Sequence, residues 1–191
     1  MDERALLGTL YHLAQIDIDA IGAYTRAIEN CRDEGIARML SRFRDDHRRH
    51  VHDLSGPIRR LGGTPPQASD FSGAAIEGFT AMVSSTGWAG ALMAMESNEV
   101  VTNDGYRQAL CHDFPGNVRS VVQRNFADEQ RHLDAIRARF EAAVPGGPML
   151  SQAAIAQGWM TAFWVNGPPA SYFPRQRAMR GRITEPTTQP R

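Results

Sequence analysis

The chain has 191 residues, 42% of them apolar, which is enough for one domain with a hydrophobic core. Its net charge is zero, with 16 Arg against 20 acids over residues 1–144 and five Arg against one Glu over residues 145–191. This asymmetry is too mild for a nucleic-acid-binding protein, and no apolar stretch reaches the ~20 residues of a membrane span. Cys31 and Cys111 form no CxxC pair, and the start of the chain has acids where a secretory signal needs a basic region. We therefore expect a soluble, cytoplasmic protein.

The first two predicted elements form a helical hairpin. Apolar residues spaced by three, four or seven positions predict a helix from Leu6 to about Cys31. The same spacing predicts a second helix from about Glu34 to Leu61, which a Gly/Pro run ends. A Gly-, Pro- and Ser-rich connection follows, with a short helix at Phe71 to Val83. It is too long for a hairpin turn and could carry the chain along a helical bundle.

Two further long helices complete the predicted bundle. The third long helix runs from about Trp88 to Cys111, and the fourth runs to about Ala143. We assign residues 1–144 to the bundle and residues 145–191 to a C-terminal extension. In this extension Met149 to Trp164 could form an amphipathic helix, followed by an Arg/Pro-rich tail. We expect the apolar segment to dock on its own bundle or on a second copy in a homo-oligomer; a membrane surface is the alternative.

The two halves of the chain repeat each other at an offset of 82 residues. The offset carries apolar positions onto apolar positions, for example Leu10 onto Leu92 and Ile36 onto Val118. Chemically active positions repeat with them: Asp17 falls on Glu99, Tyr24 on Tyr106, Asp46 on Asp128, His47 on Glu129 and His50 on His132. The sequence therefore predicts two copies of one helical hairpin.

Ionisable residues occupy core-facing positions where the apolar pattern calls for Leu or Val. They are Asp17, His47, His50, Glu99, Glu129 and His132. The first helix rises ~21 Å from Asp17 to its end, and the second helix descends ~20 Å from its start to His47 and His50. These three residues therefore lie at the same height in the bundle. Burying three carboxylates together costs several kcal/mol per ion, which one or two divalent cations would offset. Oxygen and imidazole donors without thiolate suit iron, manganese or zinc.

This pattern resembles the ferritin-like superfamily, the bacterioferritin and rubrerythrin type of di-metal carboxylate four-helix bundle. That family places a carboxylate on the first and third helices and Glu-x-x-His on the second and fourth. Glu129 with His132 matches fully, Glu99 matches the third helix, and Asp17 matches the first with a shorter acid. The resemblance covers about residues 5–143 and implies two hairpins joined by a long crossover.

The resemblance also implies a ligand set. Asp17 and His50 would hold one ion, Glu99 and His132 the other, and Glu129 would bridge them. His47 replaces the expected bridging Glu on the second helix; it carries no negative charge and cannot bridge two ions through one nitrogen. An asymmetric pair of ions or a single ion therefore remain alternatives. Asp46, adjacent in sequence, could turn into the site, although its side chain is short.

The family suggests a non-haem iron centre with two iron ions per chain, manganese or zinc being possible. Such a centre would react with dioxygen or peroxide in ferroxidase, peroxidase or oxidase chemistry, with electrons from the iron or from a separate partner. The alternative is a metal-free or structural-zinc bundle that acts in association, as a stress-related structural protein. We expect Tyr24 and Tyr106 to be core tyrosines with buried hydroxyl partners, and Asn125 could hydrogen-bond near the site.

Overall fold

The computed structural model describes residues 2–143, without the side chains of residues 71, 72 and 143. Five helices make up the fold, and no strand occurs in this part of the chain. They are α1 (Glu3–Asn30), α2 (Glu34–Arg60), α3 (Phe71–Ser84), α4 (Trp88–Ala109) and α5 (Gly116–Ala143). The predicted all-α class is confirmed.

Side-chain caps and glycine set the ends of the first hairpin. The carboxylate of Asp2 accepts a hydrogen bond from the backbone N–H of Ala5 at 2.7 Å, so α1 begins three residues before the predicted Leu6. Asp33 caps α2 in the same way, accepting from the backbone N–H of Ile36 at 2.8 Å. Beyond α2, Gly62 has φ of 76°, a left-handed conformation that only glycine adopts without strain.

The four long helices form a closed ring in which α1 packs on α2, α2 on α5, α5 on α4 and α4 on α1. The crossover helix α3 lies outside this ring against α1 and α4. Its start lies beside Asp19 and its end beside Asn30, so it runs in the same direction as α1. The crossover therefore covers the α1–α4 side of the bundle.

The bundle interior consists of two apolar clusters. One is formed by the start of α1, the end of α2, the end of α4 and the start of α5; it includes Leu10, Leu54 and Val122. The other is formed by the opposite ends of these helices and includes Leu40, Leu92 and Ile136. Each large apolar side chain buried in such a cluster stabilises the fold by about 1.5–3 kcal/mol. The residues between the clusters on all four helices are the polar ones that the sequence analysis singled out.

Within residues 2–143, no helix is both long enough and apolar enough to cross a membrane. The predicted segment Met149 to Trp164 and the tail lie outside the described residues. The boundary between residues 144 and 145 stays a prediction.

Candidate metal centre

The six ionisable residues from the core-facing positions meet at mid-height in the bundle. Each has an exposed fraction of 0%. Their ligand-type atoms form two overlapping groups, in each of which all atoms lie within 4.8 Å of one another. The Asp17 group comprises Asp17, His47, His50 and Glu129, and the Glu99 group comprises His47, Glu99, Glu129 and His132. This buried cluster could hold a metal ion.

The Asp17 group is the more compact of the two. The Asp17 Oδ1 atom lies 2.9 Å from His47 Nδ1 and 3.3 Å from His50 Nδ1. The Glu129 Oε1 atom lies 2.9 Å from His50 Nδ1 and 3.3 Å from His47 Nδ1. Donor atoms bound at about 2.1 Å to one ion lie roughly 3 to 3.4 Å from one another. These four nitrogen–oxygen distances therefore match the spacing between donor atoms in a coordination sphere.

The Glu99 group is more open and contains unsatisfied atoms. His47 Nε2 lies 3.2 Å from Glu99 Oε1, whereas His132 Nδ1 lies 3.8 Å from Glu99 Oε2. Among the described residues, His132 Nδ1 and both carboxylate oxygens of Glu129 have no hydrogen-bond partner. The short contact between Glu129 and His50 is an ion-pair distance without hydrogen-bond alignment. Unsatisfied buried polar atoms cost roughly 1–3 kcal/mol each, which a bound cation would offset.

The two tyrosines of the repeat hold the carboxylates of the opposite hairpin. The hydroxyl of Tyr24 donates to Glu99 Oε1, and the hydroxyl of Tyr106 donates to Asp17 Oδ2 at 2.6 Å. Asn125 Nδ2 donates in turn to the Tyr106 hydroxyl at 3.3 Å. Burial, followed by the adjacent carboxylate, raises the pKa of each tyrosine well above its ordinary value, so both remain hydrogen-bond donors. The buried hydroxyl partners predicted for Tyr24 and Tyr106 are confirmed.

Two aspartates hold histidines from the α2–α5 side of the bundle. Asp46 does not turn into the centre; its Oδ2 lies 3.0 Å from His132 Nε2, on the neighbouring helix. Asp128 Oδ2 lies 3.2 Å from His50 Nε2 in the equivalent arrangement. The sequence analysis assigned Asp128 no role, although the repeat places it at the position of Asp46. These contacts leave the Nδ1 atoms of both histidines directed inward.

A family model described as "Domain of unknown function (DUF2383)" matches residues 6–112 of the chain. This match covers more than half of the sequence and extends from α1 to the end of α4. The chain belongs to this family. Comparison with curated proteins and with solved structures gave no match. In the DUF2383 chain, Glu129 and His132 lie on α5, beyond the matched residues.

Protons balance much of the negative charge in the metal-free DUF2383 chain. Burial lowers the pKa of His47, but Glu129, Asp17 and Glu99 outweigh it and hold that pKa well above its usual value. The pKa of His50 is raised against burial to about 10 by Asp17 and Glu129. Burial raises the pKa of Glu129 to about 7. A metal ion would displace protons from these histidines, so its binding should strengthen as the pH rises.

One side chain that the sequence did not single out connects α4 and α5 beside the buried cluster. Asn103 Nδ2 donates to the backbone carbonyls of Glu99 at 2.8 Å and Glu129 at 2.9 Å. The repeat gives no signal for it because the equivalent residue in the first hairpin is Ile21. Asn103 therefore fixes the relative height of α4 and α5 at the centre of this DUF2383 chain.

Proposed function

We propose that this chain is a ferritin-like protein whose buried centre binds iron, two ions per chain, and reacts with dioxygen or peroxide. The supporting observation is the pair of overlapping four-residue groups from four helices, fully buried and built only from carboxylates and imidazoles. These donors suit iron, manganese and zinc, and their arrangement is that of di-metal carboxylate bundles apart from His47 and the shorter acid Asp17.

Four of the five ligands in this proposal, all except Glu129, are held by a neighbour. Asp17 and His50 hold one ion, and the neighbours Tyr106 and Asp128 orient them. Glu99 and His132 hold the second ion, oriented by Tyr24 and Asp46, and Glu129 contributes to both ions. Bound iron would supply the electrons that reduce dioxygen or peroxide. The apolar clusters above and below limit the access of water to the centre.

A metal-free or structural-zinc bundle is the second candidate. It is supported by the direct contacts of His47 with Asp17 at 2.9 Å and with Glu99 at 3.2 Å, which form a buried ion-pair network. That network leaves the carboxylate oxygens of Glu129 without hydrogen bonds in the described structure. A buried ion pair by itself adds little net stability because desolvation offsets the attraction. We therefore favour the metal centre.

Metal stoichiometry decides between the two candidates. Metal content is measured in protein freshly purified from iron-sufficient cells. It is measured again after the same protein has been reconstituted anaerobically with Fe²⁺. We expect about two iron ions per chain by analogy with di-metal carboxylate bundles, and an absorbance change on adding dioxygen or peroxide. Protein that binds no iron after reconstitution contradicts the proposal. Zinc binding without any reactivity of the iron-loaded protein supports the structural alternative.

Glu129→Ala tests the ligand set. Because Glu129 belongs to both groups, its loss should abolish two-ion occupancy. The helices should persist, as judged by circular dichroism, because the two apolar clusters are unchanged. Gln130→Ala, at the exposed neighbouring position, is the matched control and should bind metal as the wild type does. Unchanged metal content in Glu129→Ala would contradict its assignment as a ligand of both ions.

A further inference from the structure

The three histidines of the centre differ in where their second ring nitrogen lies. His50 and His132 each direct Nδ1 inward and hold Nε2 against an aspartate near the surface, Asp128 and Asp46 respectively. This is the usual arrangement of a histidine that binds one metal ion. His47 has no such outer partner in the described structure, because both of its nitrogens face carboxylates of the centre.

The two nitrogens of His47 face different halves of the centre. Nδ1 lies 2.9 Å from Asp17 Oδ1, in the Asp17 group. Nε2 lies 3.2 Å from Glu99 Oε1, in the Glu99 group. In both contacts the ring N–H points toward the carboxylate oxygen. Each N–H of His47 is therefore directed into a different half of the centre. When the protons are removed, the nitrogen lone pairs point in these same two directions.

We propose that His47 bridges two metal ions as an imidazolate. Its Nδ1 binds the ion held by Asp17 and His50, and its Nε2 binds the ion held by Glu99 and His132. The inference rests on the proposed metal-binding function and explains how a histidine can occupy the position of a bridging glutamate. A histidine cannot bridge two ions through one nitrogen, but both nitrogens of His47 face the centre. Both N–H protons of His47 pass to solvent as the ions bind.

A bridging ring makes this centre wider than one bridged by oxygen atoms. Metal–nitrogen bonds of about 2.0–2.1 Å on opposite sides of an imidazole place two ions about 6 Å apart. Ions in ordinary two-metal sites lie about 3.5–4 Å apart. The separation of the ions therefore distinguishes a histidine bridge from a carboxylate or oxide bridge.

The experiment is a crystal structure of the full chain loaded with Zn²⁺, with the ions located by anomalous scattering at the zinc edge. Zinc is chosen because it undergoes no redox chemistry, so the result does not depend on reactivity. We expect two zinc ions about 6 Å apart, one on each side of the His47 ring. A pair about 3.5–4 Å apart overturns the bridge but leaves the metal-binding function intact. A single ion also overturns the bridge, and a chain that binds neither Zn²⁺ nor Fe²⁺ overturns both proposals.

His47→Glu provides the internal comparison. It restores the carboxylate that di-metal bundles carry at this position, and we expect the zinc separation to shorten to about 3.5–4 Å. The matched control is His132→Gln, which removes a histidine with only one nitrogen directed inward. It should lose the ion of the Glu99 group and keep the other ion beside His47 Nδ1. A His47→Glu protein with the wild-type separation would contradict the bridging role.

Discussion

Two buried aspartates on α1 lie in opposite electrostatic surroundings. Burial raises the pKa of Asp17, but hydrogen bonds from His47 and His50 outweigh it, so that pKa is lowered overall. Asp19 is 2% exposed and faces the crossover, where it accepts a hydrogen bond from Gln15 Nε2 at 3.0 Å. Burial, and then the charge of Asp70, raise the pKa of Asp19 to about 7. Asp19 therefore opposes folding when it is ionised.

Asp19→Asn should stabilise the protein in a pH-dependent way. In the folded protein Asp19 keeps its proton up to about pH 7, whereas in the unfolded chain it loses the proton near pH 3.8. The ionisation of Asp19 therefore lowers the free energy of unfolding progressively as the pH rises between these values, and the whole effect is present above pH 7. We expect Asp19→Asn to raise the free energy of unfolding by about 1–3 kcal/mol at pH 8, with a smaller gain at pH 5.

The measurement is urea denaturation of metal-free protein in chelator at the two pH values. Asp134→Asn, at an exposed position on α5, is the matched control and should change stability little at either pH. An equal stability change for Asp19→Asn at pH 5 and pH 8 would contradict the assigned proton affinity.

At the scale of elements, α3 is held close to α4 through a glycine. A Cβ atom at Gly90 would lie 2.2 Å from the backbone carbonyl oxygen of Val83. No flexible side chain can relieve that contact, so the two helices approach this closely only with glycine at the position. Gly78, exposed on α3, has no atom within 4 Å of the equivalent Cβ position.

These two glycines should respond to alanine in opposite directions. Gly78→Ala should stabilise by about 0.5–1 kcal/mol, because alanine is the better helix former and meets no obstacle. Gly90→Ala should destabilise by about 1–3 kcal/mol, because α3 must move away from α4. Chemical denaturation of both metal-free variants gives the comparison. A stabilising Gly90→Ala would show that the end of α3 adjusts freely.

Four charged side chains connect α2 and α5 over the centre. Arg49 pairs with Asp46 on its own helix and Asp128 across the bundle. Arg131 pairs with Asp128 on its own helix and with Asp46 across the bundle at 3.3 Å. The aspartates of this network are the residues that hold the outer nitrogens of His50 and His132.

Removing either aspartate should weaken metal binding in one half of the centre. Asp46→Ala frees His132 and should lower affinity in the Glu99 group about 10–100-fold, and Asp128→Ala should do the same in the Asp17 group. Calorimetric titration with Zn²⁺ measures the affinities. The matched control is Asp45→Ala, which removes an exposed acid that pairs with Arg48 on the same helix, and this variant should bind as the wild type does. Unchanged affinity in both variants would contradict the orienting role.

On the scale of the whole molecule, all six residues of the centre and both apolar clusters lie within residues 2–143. A chain ending at Val144 should therefore keep the helical circular dichroism spectrum, the melting transition and the metal content of the full chain. We expect the shortened chain to form smaller oligomers in size-exclusion chromatography, because Met149 to Trp164 is predicted to mediate association. Loss of helicity would contradict the domain boundary, and unchanged oligomers would show that the prediction for this segment is wrong.

The helices and the composition of the centre could be predicted from local spacing. Periodic apolar residues mark the faces of α1, α2, α4 and α5, and a helix rise of 1.5 Å per residue converts spacing into height. The repeat then identified Asp17 with Glu99 and His50 with His132 as equivalent positions. These inferences need only the regular geometry of a single helix, so they do not depend on how the helices pack.

What only the tertiary structure decided is which atoms of different helices meet. The periodicity places Asp46 beside a core-facing position, but the rotation of α2 against α5 brings it to His132 of the other hairpin. The same packing directs both nitrogens of His47 into the centre, because Asp17 and Glu99 lie on either side of its ring. Sequence period specifies the face on which a side chain lies. Its partner depends on the rotation, height and rotamers of several helices at once, which no local pattern encodes.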